Sequence, residues 1–255
     1  MNKLTVIKVG GKIVEEEESL QRLLNDFAAI EGPKVLVHGG GRSATKIAAQ
    51  LGIESQMVNG RRITDAEMLK VVMMVYGGLV NKNIVAGLQA CGVNAVGLTG
   101  ADMNVILSEK RPVKDIDYGF VGDVKQVDGK RLAELLQAGI IPVMAPLTHD
   151  GKGNILNTNA DTIAGETAKG LAPYFDVTLI YCFEKKGVLR DEADDDSVIP
   201  AINRQQFAEL VEQGVIQGGM IPKLENAFQA IDAGVKEVVI TAANAISGEQ
   251  GTKIR

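Results

Sequence analysis

Short apolar runs alternate with longer amphipathic stretches along the whole chain, and this alternation constrains the fold more than any other feature. The runs are rich in β-branched residues or leucine and are bounded by glycine, proline or polar residues, which is typical of buried strands. Strands that alternate with helices favour a mostly parallel sheet with helices on both faces. The sequence therefore predicts an α/β fold, a three-layer αβα sandwich, with strands at residues 4–9, 34–38, 94–98, 140–145, 177–182 and 237–241.

The stretches between the runs are predicted to be helices, and one of them is much longer than the others. It spans residues 65–91, where Thr64-Asp65 supplies a cap and Glu67 an acidic first turn. Its apolar residues form one stripe, which is typical of a packing surface, and from its length we hypothesise that it runs across a subunit interface. The stripe consists of Met68, Val71, Val72, Val75 and Leu79, and the other helices are predicted at residues 16–30, 43–51, 131–137, 161–171, 203–212 and 223–233.

The middle of the chain departs from this alternation. Residues 105–112, 118–121 and 124–127 are predicted to be short β segments in antiparallel hairpins attached to the main sheet. Within them, residues 119–123 form either a plain hairpin or a flap over a small ligand. The sequence marks no sharp division into lobes, so we place a soft boundary within one continuous sheet, between residues 1–173 and 174–255.

Composition excludes several classes of function. The 255 residues carry a net charge of −5, whereas general nucleic-acid and membrane-surface binders need a basic face. Cys91 and Cys182 lie in or beside apolar runs and are predicted to be reduced thiols, and with the isolated His38 and His149 they build no metal cluster. We expect neither a signal peptide nor a stretch with the length of a membrane helix, and hence a cytoplasmic protein.

Three glycine clusters lie at or near the ends of apolar runs. Glycine lets the backbone approach a ligand closely, so that N–H groups point at bound oxyanions. Two of the clusters have a lysine beside them, Lys8 near the start of the chain and Lys223 near its end. The pattern predicts a phosphate-handling enzyme without a Walker A motif. The clusters are Lys8-Val9-Gly10-Gly11, His38-Gly39-Gly40-Gly41 and Gly218-Gly219-Met220-Ile221-Pro222-Lys223.

The second cluster superficially resembles a dinucleotide-binding fingerprint. Gly39 to Ala44 fits G-x-G-x-x-A between a predicted strand and a predicted helix. The acidic residue expected about 20 positions further on is missing, because none of residues 56–60 is acidic. The segment is therefore interpreted as a general anion-binding turn at a helix N-terminus, suited equally to a carboxylate or a phosphate.

Six motifs of this chain occur in the order and spacing found in the acylglutamate kinases, which include the acetylglutamate kinases and belong to the amino acid kinase family. The resemblance covers essentially the whole chain. The first and last motifs are shared with the wider family, whereas the third and fifth narrow the resemblance to acylglutamate kinases. The motifs are Lys8-Val-Gly-Gly11, His38-Gly-Gly-Gly41, Asn59-Gly-Arg-Arg-Ile-Thr-Asp65, Val80-Asn-Lys82, Asn157-Thr-Asn-Ala-Asp161 and Gly218-Gly-Met-Ile-Pro-Lys223.

This resemblance implies ATP-dependent phosphorylation of the γ-carboxylate of an N-acyl-L-glutamate, either N-acetylglutamate or N-succinylglutamate, in arginine biosynthesis. It also implies ATP and Mg²⁺ as cofactors, a small-molecule substrate and a homodimer. Acylglutamate binding and dimerisation are expected in residues 1–173 and nucleotide binding in residues 174–255. Two other functions stay open: another kinase of the family, such as an N-acylaminoadipate kinase, and a non-catalytic nucleotide sensor of the same fold.

The expected roles in the site follow from charge. A carboxylate is already a nucleophile, so catalysis needs positioning and electrostatic stabilisation rather than a general base. The resemblance implies that Lys8 and Lys223 neutralise the transferring phosphoryl group and that Asp161 holds both lysines. The residues implied for the substrate are Gly40, Gly41, Arg62 and Asn157, and those implied for the nucleotide are Gly10, Gly11, Gly187, Gly218, Gly219 and Met220.

Structural explanations compete with some of these roles. Asp161 lies where a predicted helix begins and is therefore also a candidate helix cap. Arg61 precedes Arg62, and only the resemblance, not the spacing, selects Arg62. His38 at the end of a strand is interpreted as a structural residue rather than an acid or a base. Residues 182–187 differ from the corresponding segment of acylglutamate kinases, so the contacts to the base and the choice between ATP and GTP stay open.

Extra cations near the expected substrate generate a first prediction. Arg42 follows the glycine triplet, Arg61 stands where acylglutamate kinases usually have leucine, and Lys12 follows the first glycine pair. Cations near the acyl end favour an N-acyl group that carries its own carboxylate, such as succinyl. We predict that kcat/KM of the purified enzyme for N-succinylglutamate is no lower than that for N-acetylglutamate. A higher value for N-acetylglutamate contradicts this prediction.

Overall fold

The computed structural model describes residues 1–58 and 60–255, and in them strands alternate with helices along the chain. The strands are β1 (Lys3–Val9), β2 (Lys34–His38), β3 (Met57–Val58), β4 (Arg61–Arg62), β5 (Ala95–Leu98), β6 (Ile106–Lys110), β7 (Gly122–Val127), β8 (Ile141–Met144), β9 (Leu147–His149), β10 (Ile155–Asn157), β11 (Asp176–Phe183), β12 (Ala201–Ile202), β13 (Glu237–Ala242) and β14 (Thr252–Ile254). The helices are α1 (Gly11–Glu15), α2 (Glu17–Ala29), α3 (Gly41–Gln50), α4 (Ala66–Val72), a π-helical segment (Met73–Val80), α5 (Asn81–Ala90), a 3₁₀ turn (Asp102–Asn104), α6 (Gly129–Gln137), α7 (Ala160–Leu171), α8 (Arg204–Glu212) and α9 (Met220–Asp232).

The core is an eight-stranded sheet in the order β12-β14-β13-β11-β1-β2-β8-β5. The six strands predicted from the sequence form its centre and pair in parallel. The pairing of β14 with β13 is antiparallel, so the sheet is mostly parallel, as predicted. Every residue of β2 is buried, because layers of helices cover both faces of the sheet. The sheet continues from β1 directly into β11, which follows the expected lobe boundary.

The hairpin in the middle of the chain forms where it was predicted but not in the predicted sheet. Strands β6 and β7 pair antiparallel with a bulge between Leu107 and Ser108. They belong to a separate four-stranded sheet in the order β10-β9-β6-β7, so the predicted attachment to the main sheet is wrong. The physical reason lies just after β8, where the chain turns at Ala145-Pro146 and β9 leaves the plane of the main sheet. Strand β9 then supplies the neighbour of β6.

Helix α4, the π-helical segment and α5 form one continuous helix, Ala66–Ala90, where a single long helix was predicted. Asp65 caps it by accepting a hydrogen bond from the Met68 amide at 2.8 Å. By length and composition alone this helix is able to cross a membrane, which contradicts the prediction that no stretch reaches that length. In the structure one of its faces packs into the core of the domain, which is the packing of a core helix.

The π-helical segment changes which side chains of this helix face the core. Met68, Val71, Val72 and Val75 are buried as predicted, but Leu79 is exposed. A π-helix bonds residue i to i+5 rather than i+4, so the turn after Val75 is one residue longer. The predicted buried stripe is therefore wrong at its last position. The side chain that turns inward in its place is Val80, five residues after Val75.

Candidate active site

Two glycine turns lie against each other at the carboxyl ends of neighbouring parallel strands. Strands β1 and β2 end opposite each other, since Val9 pairs with His38, and in such sheets ligands bind outside the carboxyl ends. The Gly39 amide donates a hydrogen bond to the Val9 carbonyl at 3.0 Å. A Cβ atom on Gly39 would lie 3.0 Å from the Gly11 nitrogen, so the two backbones are in direct contact. The first two clusters of the sequence thus form one structure.

Gly40 is required because an aromatic ring packs against it. A Cβ atom at this position would lie 2.9 Å from Cδ1 of Tyr76, a distance that side-chain atoms do not tolerate. The π-helical segment brings Tyr76 to this place, and such segments occur frequently at functional sites. Burial raises the pKa of Tyr76, and the nearby Arg62 partly offsets that rise. Sequence analysis missed Tyr76, and the signal for it was its position four residues after Val72, beside the predicted stripe.

Lys8 and Asp161 form an ion pair beside the glycine turns. Lys8 is buried in β1, and its Nζ lies 2.7 Å from Oδ1 of Asp161 in the first turn of α7. Asp161 is not the cap of that helix, because the Asn159 side chain accepts hydrogen bonds from the amides of Asp161 and Thr162. The carboxylate of Asp161 therefore pairs with Lys8 and does not cap the helix. The competing interpretation of Asp161 as a helix cap is wrong.

Lys223 joins this pair from the other end of the chain. It lies in the first turns of α9, and both ammonium groups lie over the ring of Phe183, with Nζ to ring centroid distances of 3.8 Å for Lys223 and 5.1 Å for Lys8. Burial lowers the pKa of Lys223, the charge of Asp161 raises it, and the charge of Lys8 lowers it. The fold therefore brings the three residues predicted as catalytic into one charge cluster, with Phe183 as a member that sequence analysis missed.

The predicted substrate residues line a cavity of about 210 Å³ on one side of the turns. Both of the arginines that spacing alone left open belong to its wall, Arg62 as a buried residue and Arg61 as an exposed one. The β6–β7 hairpin contributes Arg111, whose guanidinium pairs with Asp123. The cavity wall includes Gly40, Gly41, Arg62 and Asn157, together with Tyr76 and Val121.

Hydrogen bonds hold Arg62 and Asn157 in place. Nη2 of Arg62 donates to the Gly41 carbonyl at 2.8 Å and to Oγ1 of Thr45 at 2.9 Å, and Nη1 donates to the Ser55 hydroxyl. Nδ2 of Asn157 donates a hydrogen bond to Oγ1 of Thr64 at 2.9 Å. The Asn157 side-chain oxygen takes no part in this bond. Arg62 thereby ties the β3–β4 hairpin to the start of α3. Asn59, the first residue of the Arg62 motif, lies outside the described residues.

A second cavity of about 660 Å³ lies on the other side of the turns and is lined by Gly10 and Gly11. Gly41 belongs to the walls of both cavities. Lys12 and Arg42 line this larger cavity, not the smaller one. Arg42 reaches across to Glu184, with Nη2 3.2 Å from Oε1, and so connects α3 with the segment after β11.

The remaining residues predicted for the nucleotide lie outside the walls of both cavities. Gly187 is buried, and a Cβ atom there would lie 2.8 Å from Oγ1 of Thr252, so close packing requires a glycine at this position. Gly218 has a φ of +52°, and with Gly219 it forms the turn that starts α9. Met220 packs partly against the core. The structure thus places this cluster where it orients the helix that carries Lys223.

His38 and Asn81 form a buried network behind the second glycine turn. Nδ1 of His38 donates to the Gly39 carbonyl at 2.7 Å, and Nε2 accepts from Nδ2 of Asn81 at 3.1 Å. Asn81 also donates to the Val143 carbonyl at 2.9 Å. Burial lowers the pKa of His38 to about 4, so the ring is neutral near pH 7. Because both ring nitrogens are engaged, the interpretation of His38 as structural is confirmed.

Glu15 connects the two glycine turns from outside. Its Oε1 accepts a hydrogen bond from the Ser43 amide at 2.7 Å, and this amide belongs to the first turn of α3. A carboxylate at a helix N-terminus is stabilised by the helix dipole. The contact therefore fixes α1, which begins at Gly11, against α3, which begins at Gly41. Sequence analysis missed this role because Glu15 stands in a run of four glutamates.

Comparisons with known proteins agree on one family. Residues 3–242 match the family model described as the amino acid kinase family. An acetylglutamate kinase from Bacteroides thetaiotaomicron is 78% identical over 253 residues, which cover 99% of this chain and 98% of that protein. An acetylglutamate kinase from Methanopyrus kandleri is 41% identical over 256 residues, which cover 99% of this chain and all of that protein.

Solved structures share the fold. The smu.665 protein of Streptococcus mutans superposes with a TM-score of 0.79 at 31% identity, covering 98% of each chain. A carbamate kinase from Giardia lamblia bound to AMP-PNP superposes with a TM-score of 0.71 at 16% identity, covering 99% of this chain and 98% of that one. At that identity the likeness concerns the fold alone.

The buried His38 predicts a pH dependence of stability. Its pKa is about 4 in the folded protein and 6.5 in the reference state, so between these values the unfolded chain binds more protons. Stability therefore rises as the pH rises through this window, by about 3 kcal/mol from this residue. Urea unfolding of the wild type and of His38→Gln from pH 4 to 7 measures the contribution. His149→Gln serves as the control, and an equal pH slope in wild type and His38→Gln contradicts the prediction.

Proposed function

The chain belongs to the amino acid kinase family, and from this membership and the geometry of its site we infer that it is an ATP-dependent phosphotransferase with a carboxyl group as acceptor. Relatives that are 74–78% identical over nearly the whole chain are acetylglutamate kinases. The acceptor is accordingly the γ-carboxylate of N-acetylglutamate, and the product is an acyl phosphate of arginine biosynthesis.

One observation carries this assignment: the Lys8–Asp161 pair and Lys223 form a charge cluster beside the glycine turns, and Gly41 of these turns lines two cavities. The smaller cavity, with arginines in its wall, suits an acidic amino acid derivative, and the larger one suits a nucleotide. A site of this kind places a carboxylate and a phosphoryl group on opposite sides of a row of backbone amides. In this proposal the phosphoryl group passes from the nucleotide in the larger cavity to the carboxylate in the smaller cavity, alongside the glycine turns.

The chemistry requires cations and backbone donors rather than a base. An oxygen of the γ-carboxylate attacks the γ-phosphorus of ATP, the bond to the β–γ bridging oxygen breaks, and ADP leaves with that electron pair. Lys8 and Lys223 neutralise the charge on the transferring group, and the Gly11 and Gly41 amides donate to its oxygens. Asp161 orients Lys8. No proton is removed from the acceptor, which agrees with a neutral His38 engaged at both nitrogens.

Arg62 and Asn157 bind the acyl amino acid in this proposal. The bonds from Arg62 to Ser55, Gly41 and Thr45 use one hydrogen of Nη1 and both of Nη2. In this proposal, Nε–H and the second Nη1 hydrogen donate to the α-carboxylate. Such a contact is charge-assisted, but it is not the parallel two-bond fork that an unengaged guanidinium forms. The Asn157 oxygen accepts from the amide N–H of the substrate.

N-succinylglutamate is the second candidate acceptor, and Arg61 and Arg111 in the wall of the smaller cavity favour it. Of the three cations that the sequence suggested for the acyl end, only Arg61 lines the smaller cavity, because Arg42 and Lys12 line the larger one. Asp123 forms an ion pair with Arg111 and partly neutralises its positive charge. Arg61 is therefore the cation best placed to meet a succinyl carboxylate, and the comparison of the two substrates decides between them.

The proposal includes Mg²⁺, which would bind to the phosphates of the nucleotide. In the part of the chain that the structure describes, no three His, Cys, Asp or Glu side chains group as metal ligands. Asp161 is engaged by Lys8, so the residues present fit a metal ion that is held by the ATP phosphates. When bound, the ion neutralises phosphate charge.

The two lobes and the location in the cell belong to the same proposal. The wall of the smaller cavity comes from residues 39–162, which supports acyl substrate binding in residues 1–173. The wall of the larger cavity combines residues 182–186, 195 and 242–244 with residues 10–42, so in this proposal the lobe of residues 174–255 supplies part of the nucleotide site. A reaction that consumes ATP and has a small soluble substrate supports a cytoplasmic location.

Substitution of Lys8 tests the catalytic assignment. We predict that Lys8→Ala lowers kcat about 100- to 1,000-fold, because it removes a preorganised charge from the transferring group. Acyl phosphate trapped with hydroxylamine measures the product, and circular dichroism confirms folding. Lys3→Ala, an exposed lysine on the same strand, is the matched control. Retention of more than half of the activity in Lys8→Ala contradicts the assignment. Absence of product with every acylglutamate and acylaminoadipate tested favours a nucleotide sensor.

A homodimer through the long helix is also part of the proposal. Met73, Met74 and Leu79 are exposed apolar residues on its outer face, where Met74 is 55% and Leu79 48% exposed. We predict that the wild type is a dimer in light scattering and that Met74→Lys/Leu79→Lys is a monomer, because two buried charges oppose association. Leu51→Lys, at an exposed leucine of α3's C-terminal end, is the control. A monomeric wild type or a dimeric double variant contradicts this interface.

A further inference from the structure

Phe183 is the last residue of β11 and stands at the edge of the larger cavity. Tyr181 and Phe183 are two positions apart, so both side chains leave the same face of the strand. Their rings stack with centroids 6.0 Å apart and planes 11° apart. The Tyr181 hydroxyl donates to the Asp161 carbonyl at 3.2 Å. This bond ties the aromatic pair to the start of α7, where the carboxylate of the charge cluster lies.

Both lysines of the charge cluster lie over one Phe183 ring. Nζ of Lys223 lies 3.8 Å from the ring centroid and Nζ of Lys8 lies 5.1 Å from it. The face of an aromatic ring carries partial negative charge and attracts an ammonium group within about 6 Å of the centroid. Both distances are inside that range. Phe183 therefore contacts two cations that come from opposite ends of the chain.

Two ammonium groups share one carboxylate in this cluster, and that imbalance needs compensation. Asp161 is paired with Lys8, so it does not balance both positive charges. Burial and the charge of Lys8 each lower the pKa of Lys223, whereas the charge of Asp161 raises it. A second carboxylate would correct the imbalance but would also repel the phosphates of ATP. An aromatic face attracts cations without adding a full negative charge.

We propose that Phe183 is a positioning residue that keeps Lys8 and Lys223 over its ring, charged and directed at the transferring phosphoryl group. This inference rests on the proposed function, since it presumes that the two lysines act in phosphoryl transfer. Phe183 itself acts through the lysines. Loss of the ring weakens the charged form of Lys223, and its pKa falls further below the ordinary value. The groups that face Lys223 and enter this balance are Lys8 from β1, Asp161 from α7 and the Phe183 ring from β11.

Two substitutions at this position separate the charge of the ring face from its shape. Phe183→Leu keeps an apolar side chain but has no aromatic face, whereas Phe183→Tyr keeps the ring. We expect about a 10-fold lower kcat in Phe183→Leu, in line with a desolvated cation–π contact, and near wild-type kcat in Phe183→Tyr. The basic limb of the kcat profile shifts to lower pH in Phe183→Leu, because Lys223 loses its proton earlier. Phe207→Leu, which disturbs an aromatic pair with Phe228 instead, serves as the control and keeps wild-type values.

A direct titration makes the test independent of the assay. NMR of the lysine ε-methylene groups without nucleotide, assigned with Lys223→Ala, measures the pKa of Lys223 in each variant. A lower pKa in Phe183→Leu than in Phe183→Tyr supports the proposal, and equal values overturn it. A changed KM for ATP with unchanged kcat and pH profile also overturns it, because the ring is then a nucleotide contact. Full activity of Lys223→Ala refutes the catalytic assignment instead, while the titration still decides what the ring does.

Discussion

The close approach of two glycine turns is the constraint on which the rest of the site depends. Parallel strands β1 and β2 end side by side, and the turns that follow touch through backbone atoms, with a Gly39 Cβ position only 3.0 Å from the Gly11 nitrogen. Side chains would separate the turns and move α1 and α3 apart. The cavities on either side exist because these two turns meet, and they share Gly41 for the same reason.

Electrostatics in this site favours the binding of negative charge. Lys8 and Lys223 face a single carboxylate, and burial in a partly apolar setting strengthens every interaction among them. Without nucleotide, Lys8 and Lys223 repel each other, and the negative charge of bound phosphates reduces this repulsion. Interactions that improve as the phosphoryl group develops charge are those that accelerate its transfer. The aromatic ring of Phe183 limits the repulsion before the nucleotide binds.

The sequence predicted six of the eight strands of the main sheet and most helix bounds, because local periodicity determines them, whereas the resemblance to acylglutamate kinases supplied the three members of the charge cluster. It failed where tertiary contacts decide. The π-helical turn places Leu79 outside and Val80 inside, and the hairpin belongs to a second sheet because β6 pairs with β9. The spacing of the motifs also did not indicate that the Arg42 side chain lies at Glu184 and not in the wall of the smaller cavity. Gly187 was predicted to bind the nucleotide, but the close packing of Thr252 alone explains why this position needs a glycine.

The peptide between Gly41 and Arg42 links the two halves of the site. Arg62 from the smaller cavity holds the Gly41 carbonyl at 2.8 Å, and the Arg42 side chain reaches Glu184 across the larger cavity. The same peptide begins α3, whose first turn Glu15 also fixes through the Ser43 amide. If Arg62 binds the substrate as proposed, we expect that its displacement by a badly fitting substrate also moves the Gly41–Arg42 peptide, which borders both cavities. Discrimination between acyl groups is then expressed in the rate of phosphoryl transfer as well as in affinity, because one backbone segment positions both reactants.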